Sequence, residues 1–129
     1  MEKDKPKVDI QSVSVLGLAH VGDAVFELMV RTWLCETGVT SAKRLHMSAV
    51  EFVSAKGQAT AFLRIRDKLT ESEMAVYMRG RNAHASTIPK GATHEQYHIA
   101  TGLETLFGYL HLQGETARLD ELFFEIVTD

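Results

Sequence analysis

The chain has 129 residues, 45% hydrophobic and 8% aromatic, a composition that suits one ordinary globular domain and excludes a disordered or fibrous protein. Fourteen lysines and arginines against seventeen aspartates and glutamates give a formal net charge of −3, which argues against nucleic-acid binding through bulk positive charge but leaves room for a local basic patch. The single cysteine, Cys35, excludes an internal disulfide, and without an apolar signal segment or membrane-spanning run the expected compartment is the cytoplasm.

The amino-terminal end predicts a tail followed by a helix. Residues 1–13 are charged, contain Pro6 and have no apolar period, so they are predicted to be a loose tail, with residues 14–129 as a single domain. A helical pattern runs from Ser14 to Glu36. Gly38 closes it, because glycine readily adopts the left-handed conformation that follows many helices.

This first helix, which includes "LGLAHVGDAVFELMVR", places an aspartate among small side chains. Ala19, Gly22 and Ala24 surround Asp23, which would allow another helix or a ligand to approach it closely. The alternative is that Asp23 belongs to the solvated edge of an amphipathic helix. The polar stripe on that side consists of His20, Asp23, Glu27 and Arg31.

The middle of the chain predicts three more helices. Ser41 caps the stretch "AKRLHMSAVEFVSAKGQATAFLRIRDKL", whose length and internal Gly57 favour two consecutive helices over one. Thr70 and Glu73 in "TESE" have the spacing of a capping box, in which each side chain bonds the other residue's backbone amide. Another helix is therefore predicted to start there and to run through "MAVYMRGRN".

Basic and small polar residues collect at the end of that helix and in the loop "AHASTIPKGAT". This is the one part of the sequence where positive charge and a Gly/Pro-containing backbone occur together, which suits contacts to phosphates. The alternative is a solvated helix end, where basic residues complement the helix dipole. The candidate residues for these phosphate contacts are Arg79, Arg81, Asn82, His84, Thr87 and Lys90.

The next helix, from His94 to Gln113, carries a second isolated acid. Glu104 lies beside Thr101 on the side opposite the apolar face, and Gly108 follows one turn later. Two helices that each present one acid from a small-residue neighbourhood could hold Mg²⁺ between them, because this cation prefers oxygen ligands. The spacing alone does not show that Asp23 and Glu104 meet.

The same helix begins with "HEQYH", which matches the H-E-x-x-H pattern of zinc peptidases. In that alternative His94 and His98 would bind zinc and Glu95 would act as the base. The motif lies at the first turn of a helix, has no obvious third ligand at a familiar spacing and occurs in a chain with no predicted sheet. A last helix, "ARLDELFFEIV", ends the chain, and since no stretch alternates with period two we predict an all-α fold.

Two of these segments together resemble the ribonuclease III family. "LAHVGDAVFELMVR" is similar to the family's signature, usually ERLEFLGDAVL, and "ATGLETLFGYLHL" is similar to its second acidic motif, usually close to DxFEALIGAxY. Between them "YMRGRNAHASTIPK" resembles the helix end and basic loop of a small subgroup, the Mini-III ribonucleases. The resemblance extends over nearly the whole chain from about Val15, with the motifs in the family's order.

This resemblance implies an all-α, ribonuclease III-type helical endonuclease domain that works as a homodimer and cuts double-stranded RNA with Mg²⁺, leaving 5′-phosphate and 3′-hydroxyl ends. By position it assigns Asp23 and Glu104 to metal binding and catalysis. The subgroup implies maturation of 23S ribosomal RNA precursor with the help of a large-subunit ribosomal protein.

The chain departs from the family pattern at two acidic positions. Ala19 stands where the longer enzymes have a glutamate, and Thr101 stands where they have an aspartate. Fewer carboxylates predict a more hydrated, weaker magnesium site, with Thr101 reaching the ion through water. A non-catalytic RNA-binding module of the same fold is a further alternative. The presence of both Asp23 and Glu104, the two acids needed for a minimal metal site, argues against it.

Overall fold

The computed structural model describes residues 8–83 and 92–128, and the α-helices in these ranges pack into one bundle, as predicted for an all-α fold. Met1–Lys7, at the start of the predicted tail, lie outside the described residues. The α-helices are α1 (Val15–Glu36), α2 (Ala42–Val53), α3 (Ala55–Ile65), α4 (Glu71–Arg81), α5 (His94–Leu112) and α6 (Thr116–Val127).

The helix boundaries follow the capping residues read from the sequence. The hydroxyl of Ser14 accepts a hydrogen bond from the Gly17 amide at the start of α1, and the capping box of Thr70 and Glu73 starts α4. Gly38 follows α1 with a φ of 107°, which explains why a glycine closes this helix. Two short 3-10 helices were not predicted, one at Ile10–Ser12 and one at Arg66–Lys68.

The predicted pair of helices in the middle of the chain is confirmed, but Ser54 rather than Gly57 separates them. Ser54 is extended, ends α2 and caps α3 by accepting a hydrogen bond from the Gly57 amide. Gly57 has another function, because a Cβ atom there would overlap the backbone oxygen of Glu51. The absence of a side chain thus allows the first turn of α3 to lie against the last turn of α2.

Helix α5 lies at the centre of the molecule and packs against α1, α3, α4 and α6. Its Phe107 is fully buried and meets Phe26 of α1 edge to face, with ring centroids 5.5 Å apart. On another side of the core, the ring of Phe62 in α3 stacks on that of Tyr77 in α4, with the ring centroids 3.9 Å apart. No helix within the described ranges has the length and apolar character needed to cross a membrane.

Candidate functional site

Two glycines bring α1 and α5 into backbone contact. A Cβ atom on Gly22 of α1 would overlap the backbone oxygen of Glu104, and a Cβ atom on Gly108 of α5 would overlap the backbone oxygen of Leu18. The crossing therefore requires the absence of both side chains. Since Asp23 follows Gly22 directly, the closest approach of the two helices fixes the distance between Asp23 and Glu104.

The carboxyl groups of Asp23 and Glu104 lie close enough at this crossing to interact electrostatically. Asp23 is exposed, whereas Glu104 is half-buried. Burial, and secondarily the negative charge of Asp23, raises the pKa of Glu104 to about 7. The pair therefore holds a proton near neutral pH that an isolated glutamate would have lost.

A glutamine that the sequence analysis overlooked completes this cluster. Gln58 of α3 is 1% exposed, and its Nε2 donates to Oε2 of Glu104 over 3.2 Å and to the backbone oxygen of Val53 over 3.1 Å. The hydrogen bond from Gln58 lowers the pKa of Glu104 and so opposes the effect of burial. A signal was present in the sequence, because Gln58 lies on the apolar stripe of α3 that also contains Ala61 and Ile65.

The donor set of this cluster fits a hard divalent cation. Two neighbouring carboxyl groups provide oxygen ligands, and a cation between them would offset both the burial of Glu104 and the repulsion from Asp23, which together raise the pKa of Glu104. Within residues 8–83 and 92–128 there is no group of three or more histidine, cysteine, aspartate or glutamate side chains arranged to hold a metal. A cation held by Asp23 and Glu104 would therefore keep several waters, as Mg²⁺ commonly does.

The two positions that depart from the family's acidic pattern are both buried. Ala19 is packed into the bundle, and the Thr101 hydroxyl donates to the backbone oxygen of Tyr97 over 2.9 Å. This hydrogen bond leaves the Thr101 oxygen only as an acceptor. The predicted contact between Thr101 and a metal through water remains a prediction.

The predicted polar stripe of α1 lies along a shallow groove of about 400 Å³ beside Asp23. The groove is open to solvent, so a phosphate of a large substrate could reach the exposed Asp23. Further along α1, Arg31 forms an ion pair with Glu27. The residues that line the groove are His20, Asp23, Ala24, Glu27, Leu28 and Arg31.

Three of the six candidate RNA-binding residues fall within the described ranges. Arg79 is exposed, and Asn82 is the exposed residue that ends α4. Arg81 is half-buried, and its interaction with Tyr77 partly offsets the rise that burial causes in the tyrosine pKa. The other three candidates, His84, Thr87 and Lys90, lie outside the described residues.

The end of α4 that carries these residues packs beside Glu104. A Cβ atom on Gly80 would overlap the side chain of Thr105, so α4 approaches α5 one residue away from the acid. The basic end of α4 and the carboxyl pair are thus positioned by neighbouring segments of the same central helix.

The H-E-x-x-H segment lies in the first turn and a half of α5. His94 and Glu95 are exposed and His98 is half-buried, and Thr93 with Gln96 forms a capping box around them. His98 and Tyr97 pack edge to face. In the described part of the chain these side chains do not belong to a three-ligand group, so the segment serves as the start of a helix.

Comparison with known proteins shows which family the sequence is similar to. Residues 16–115 match the model of the ribonuclease III domain. The chain is 43% identical over 116 residues to a Mini-ribonuclease 3 of Enterococcus faecalis, covering 88% of each protein, and 33% identical over 121 residues to one of Staphylococcus aureus, covering 92% of this chain and 90% of the relative. A crystal structure of a Fusobacterium nucleatum protein superposes with a TM-score of 0.84 at 27% identity, covering 95% of this chain and all of that one.

Proposed function

The chain belongs to the ribonuclease III domain family and is an endoribonuclease, and on that premise we propose that Asp23 and Glu104 form a magnesium-dependent active site that cleaves double-stranded RNA. The observation that carries the proposal is the proximity of these two carboxyl groups at the crossing of α1 and α5. Family membership supports double-stranded RNA as the substrate class, and the proximity of the two acids supports this crossing as the place where the reaction occurs.

Asp23 and Glu104 would hold Mg²⁺ through their carboxylate oxygens. When bound, the ion supplies positive charge at the scissile phosphate and lowers the pKa of the attacking water, giving 5′-phosphate and 3′-hydroxyl products. Glu104 gives up the proton that it retains up to about pH 7 in the metal-free pair. Exposed Asp23 then forms the outer edge of the site, and half-buried Glu104 forms its floor.

Substitution of either acid tests this assignment. Asp23→Asn and Glu104→Gln are expected to lower cleavage of a long RNA duplex in Mg²⁺ by about a thousandfold or more, because each removes one of two anionic ligands. The matched control is Glu27→Gln, which changes a carboxylate one turn further along α1 that pairs with Arg31. Full activity in both acid variants would refute the assignment of the two acids, whereas wild-type protein that cleaves no duplex in Mg²⁺ would favour a non-catalytic RNA-binding module.

The basic end of α4 is proposed as part of the RNA-binding surface, together with His84, Thr87 and Lys90. Arg79→Ala is expected to weaken duplex binding several-fold across sequences and to reduce its salt dependence, because a phosphate contact is lost. Arg81→Ala is expected in addition to lower stability, because this guanidinium also contacts Tyr77. An unchanged salt slope in Arg79→Ala would place the RNA surface elsewhere.

The biological substrate proposed from the subgroup is 23S ribosomal RNA precursor, processed in the cytoplasm by a homodimer. With a net charge of −3, the protein is expected to bind free RNA only moderately, so a large-subunit ribosomal protein on the precursor would help to present the duplex. A cleavage assay on precursor with and without bound ribosomal protein tests this, and sedimentation at several concentrations tests the dimer. Equal cleavage in both conditions would argue against a role for the ribosomal protein.

A further inference from the structure

Four polar or charged side chains are fully buried in the described part of the chain, and the fold explains three of them. Glu73 completes the capping box of α4 and binds Arg118. Thr101 and Thr105 each donate to a backbone oxygen one turn earlier in α5. Gln58, 1% exposed, is the fourth, and its longest-range partner is Glu104.

The side-chain amide of Gln58 connects the junction of α2 and α3 to Glu104. Its nitrogen carries two hydrogens and makes two contacts, one to the backbone oxygen of Val53 and one to Oε2 of Glu104. Val53 is the last residue of α2, where backbone oxygens lack partners within the helix. Gln58 is therefore fixed at one end by backbone and holds a carboxylate at the other.

Local packing alone would favour an apolar side chain at this position. The neighbours of Gln58 on the same stripe of α3 are the buried Ala61, Phe62 and Ile65. Moreover, Oε1 of Gln58 has no hydrogen-bond partner among the described residues, and a buried polar atom left unsatisfied costs about 1–3 kcal/mol. The amide is therefore kept at a cost in stability, which its contact with Glu104 would explain.

We propose that Gln58 is a positioning residue that holds the Glu104 carboxylate in the orientation in which it faces Asp23 and accepts a cation. The inference rests on the proposed function of the Asp23–Glu104 pair as the metal site. Hydrogen-bonding partners of metal ligands fix the ligand's orientation, and their loss typically lowers metal affinity about 10-fold to 100-fold. Gln58 acts through Glu104 and has no contact with RNA in this scheme.

The test compares Gln58→Met with the control Thr105→Val. Methionine is close to glutamine in size but cannot donate, and Thr105→Val removes a different buried hydrogen bond next to Glu104 in sequence. Calorimetric titration with Mg²⁺ is expected to give about 10-fold weaker binding for Gln58→Met and unchanged binding for Thr105→Val. In metal-free protein, the pKa of Glu104 from carboxyl NMR is expected to rise only in Gln58→Met.

A second measurement needs no substitution. In wild-type protein the side-chain amide signals of Gln58 are expected to shift as Mg²⁺ is added, whereas those of Gln96, at the far end of α5, are expected to stay in place. Stationary Gln58 signals, or equal Mg²⁺ affinity in wild type and Gln58→Met, would overturn the role of Gln58 alone. Wild-type protein that binds no Mg²⁺ would instead contradict the proposed metal site.

Discussion

Glu73 and Glu104 lie in the same helical bundle, but their surroundings shift the pKa of the carboxyl group in opposite directions. Arg118 donates to both oxygens of Glu73 at 2.8 Å, and this hydrogen bonding holds the pKa of Glu73 below its usual value against the effect of burial. Glu104 has Asp23 and the neutral amide of Gln58 as partners, and its pKa is raised to about 7.

The opposite pKa shifts distinguish a carboxylate that stabilises the fold, Glu73, from one that can bind a ligand, Glu104. Glu73 forms an ion pair with Arg118 and also caps α4, so its negative charge stabilises the fold. Glu104 is placed against a second acid by backbone contact at Gly22, and no basic side chain among the described residues shifts its pKa. An incomplete electrostatic environment of this kind is typical of functional sites.

The largest effect on stability is expected from a side chain at Gly22, where α1 and α5 are in backbone contact and Asp23 is brought close to Glu104. Gly22→Ala would place a methyl group on the backbone oxygen of Glu104, so α1 and α5 must separate, at a cost of about 3 kcal/mol or more in the free energy of unfolding. Chemical denaturation measures this loss, and cleavage activity should fall with it.

The matched control for this substitution is Gly38→Ala. A side chain at Gly38 meets nothing within 4 Å, but the residue has a φ of 107°, so only backbone strain of about 1 kcal/mol is expected. Cleavage by Gly38→Ala should remain near the wild-type rate. Equal stability losses in the two variants would show that helix contact is not what positions the acids.

The next effect in size concerns the other glutamate. Arg118→Met removes the partner that holds the pKa of Glu73 low, as well as a hydrogen bond to the backbone oxygen of Lys68, and is expected to cost about 2 kcal/mol at neutral pH. A lowered folded-state pKa means that the pair's contribution is lost as pH falls through that value, below 4.5.

Denaturation at pH 7 and at pH 3 therefore distinguishes this ion pair from general packing. The difference between wild type and Arg118→Met should shrink at the lower pH, while Mg²⁺ affinity stays the same at pH 7. A difference that is equal at both pH values would mean that Arg118 acts through the packing of its aliphatic part.

Local features of the fold could be predicted from sequence because they depend on residues close together in the chain. Ser14, the capping box at Thr70 and the glycine after α1 each act within one turn, and they mark helix ends where the structure has them. Small residues beside Asp23, and Gly108 one turn beyond Glu104, likewise predicted that a close approach was sterically allowed.

The unpredicted features depend on how distant segments pack. Gln58 meets Glu104 across 46 positions of the chain, and Arg118 meets Glu73 across 45, so neither pairing has a periodic signal. The sequence predicted two helices without locating the break at Ser54, because a glycine near a helix start, such as Gly57, can serve a close approach as well as a turn. Sequence pattern thus indicates which residues are unusual, while the fold supplies their partners.

The smallest expected effect is also the most direct contrast between the two glutamates, because the two carboxyl groups change the free energy of unfolding with pH in opposite directions. The pKa of Glu104 is about 7 when folded and near 4.5 when unfolded, so the folded protein binds more protons between these values. The free energy of unfolding of metal-free protein should therefore fall as pH rises from about 4.5 to about 7. Glu104→Gln removes this dependence and should be more stable than wild type at pH 8, by about 1 kcal/mol. Adding Mg²⁺ should stabilise wild type but not the variant, because a cation then neutralises the pair. Denaturation of both proteins at pH 5 and pH 8, with chelator or with Mg²⁺, measures these differences in stability. A variant less stable than wild type at pH 8 in chelator would mean that Glu104 is a structural carboxylate of the same kind as Glu73.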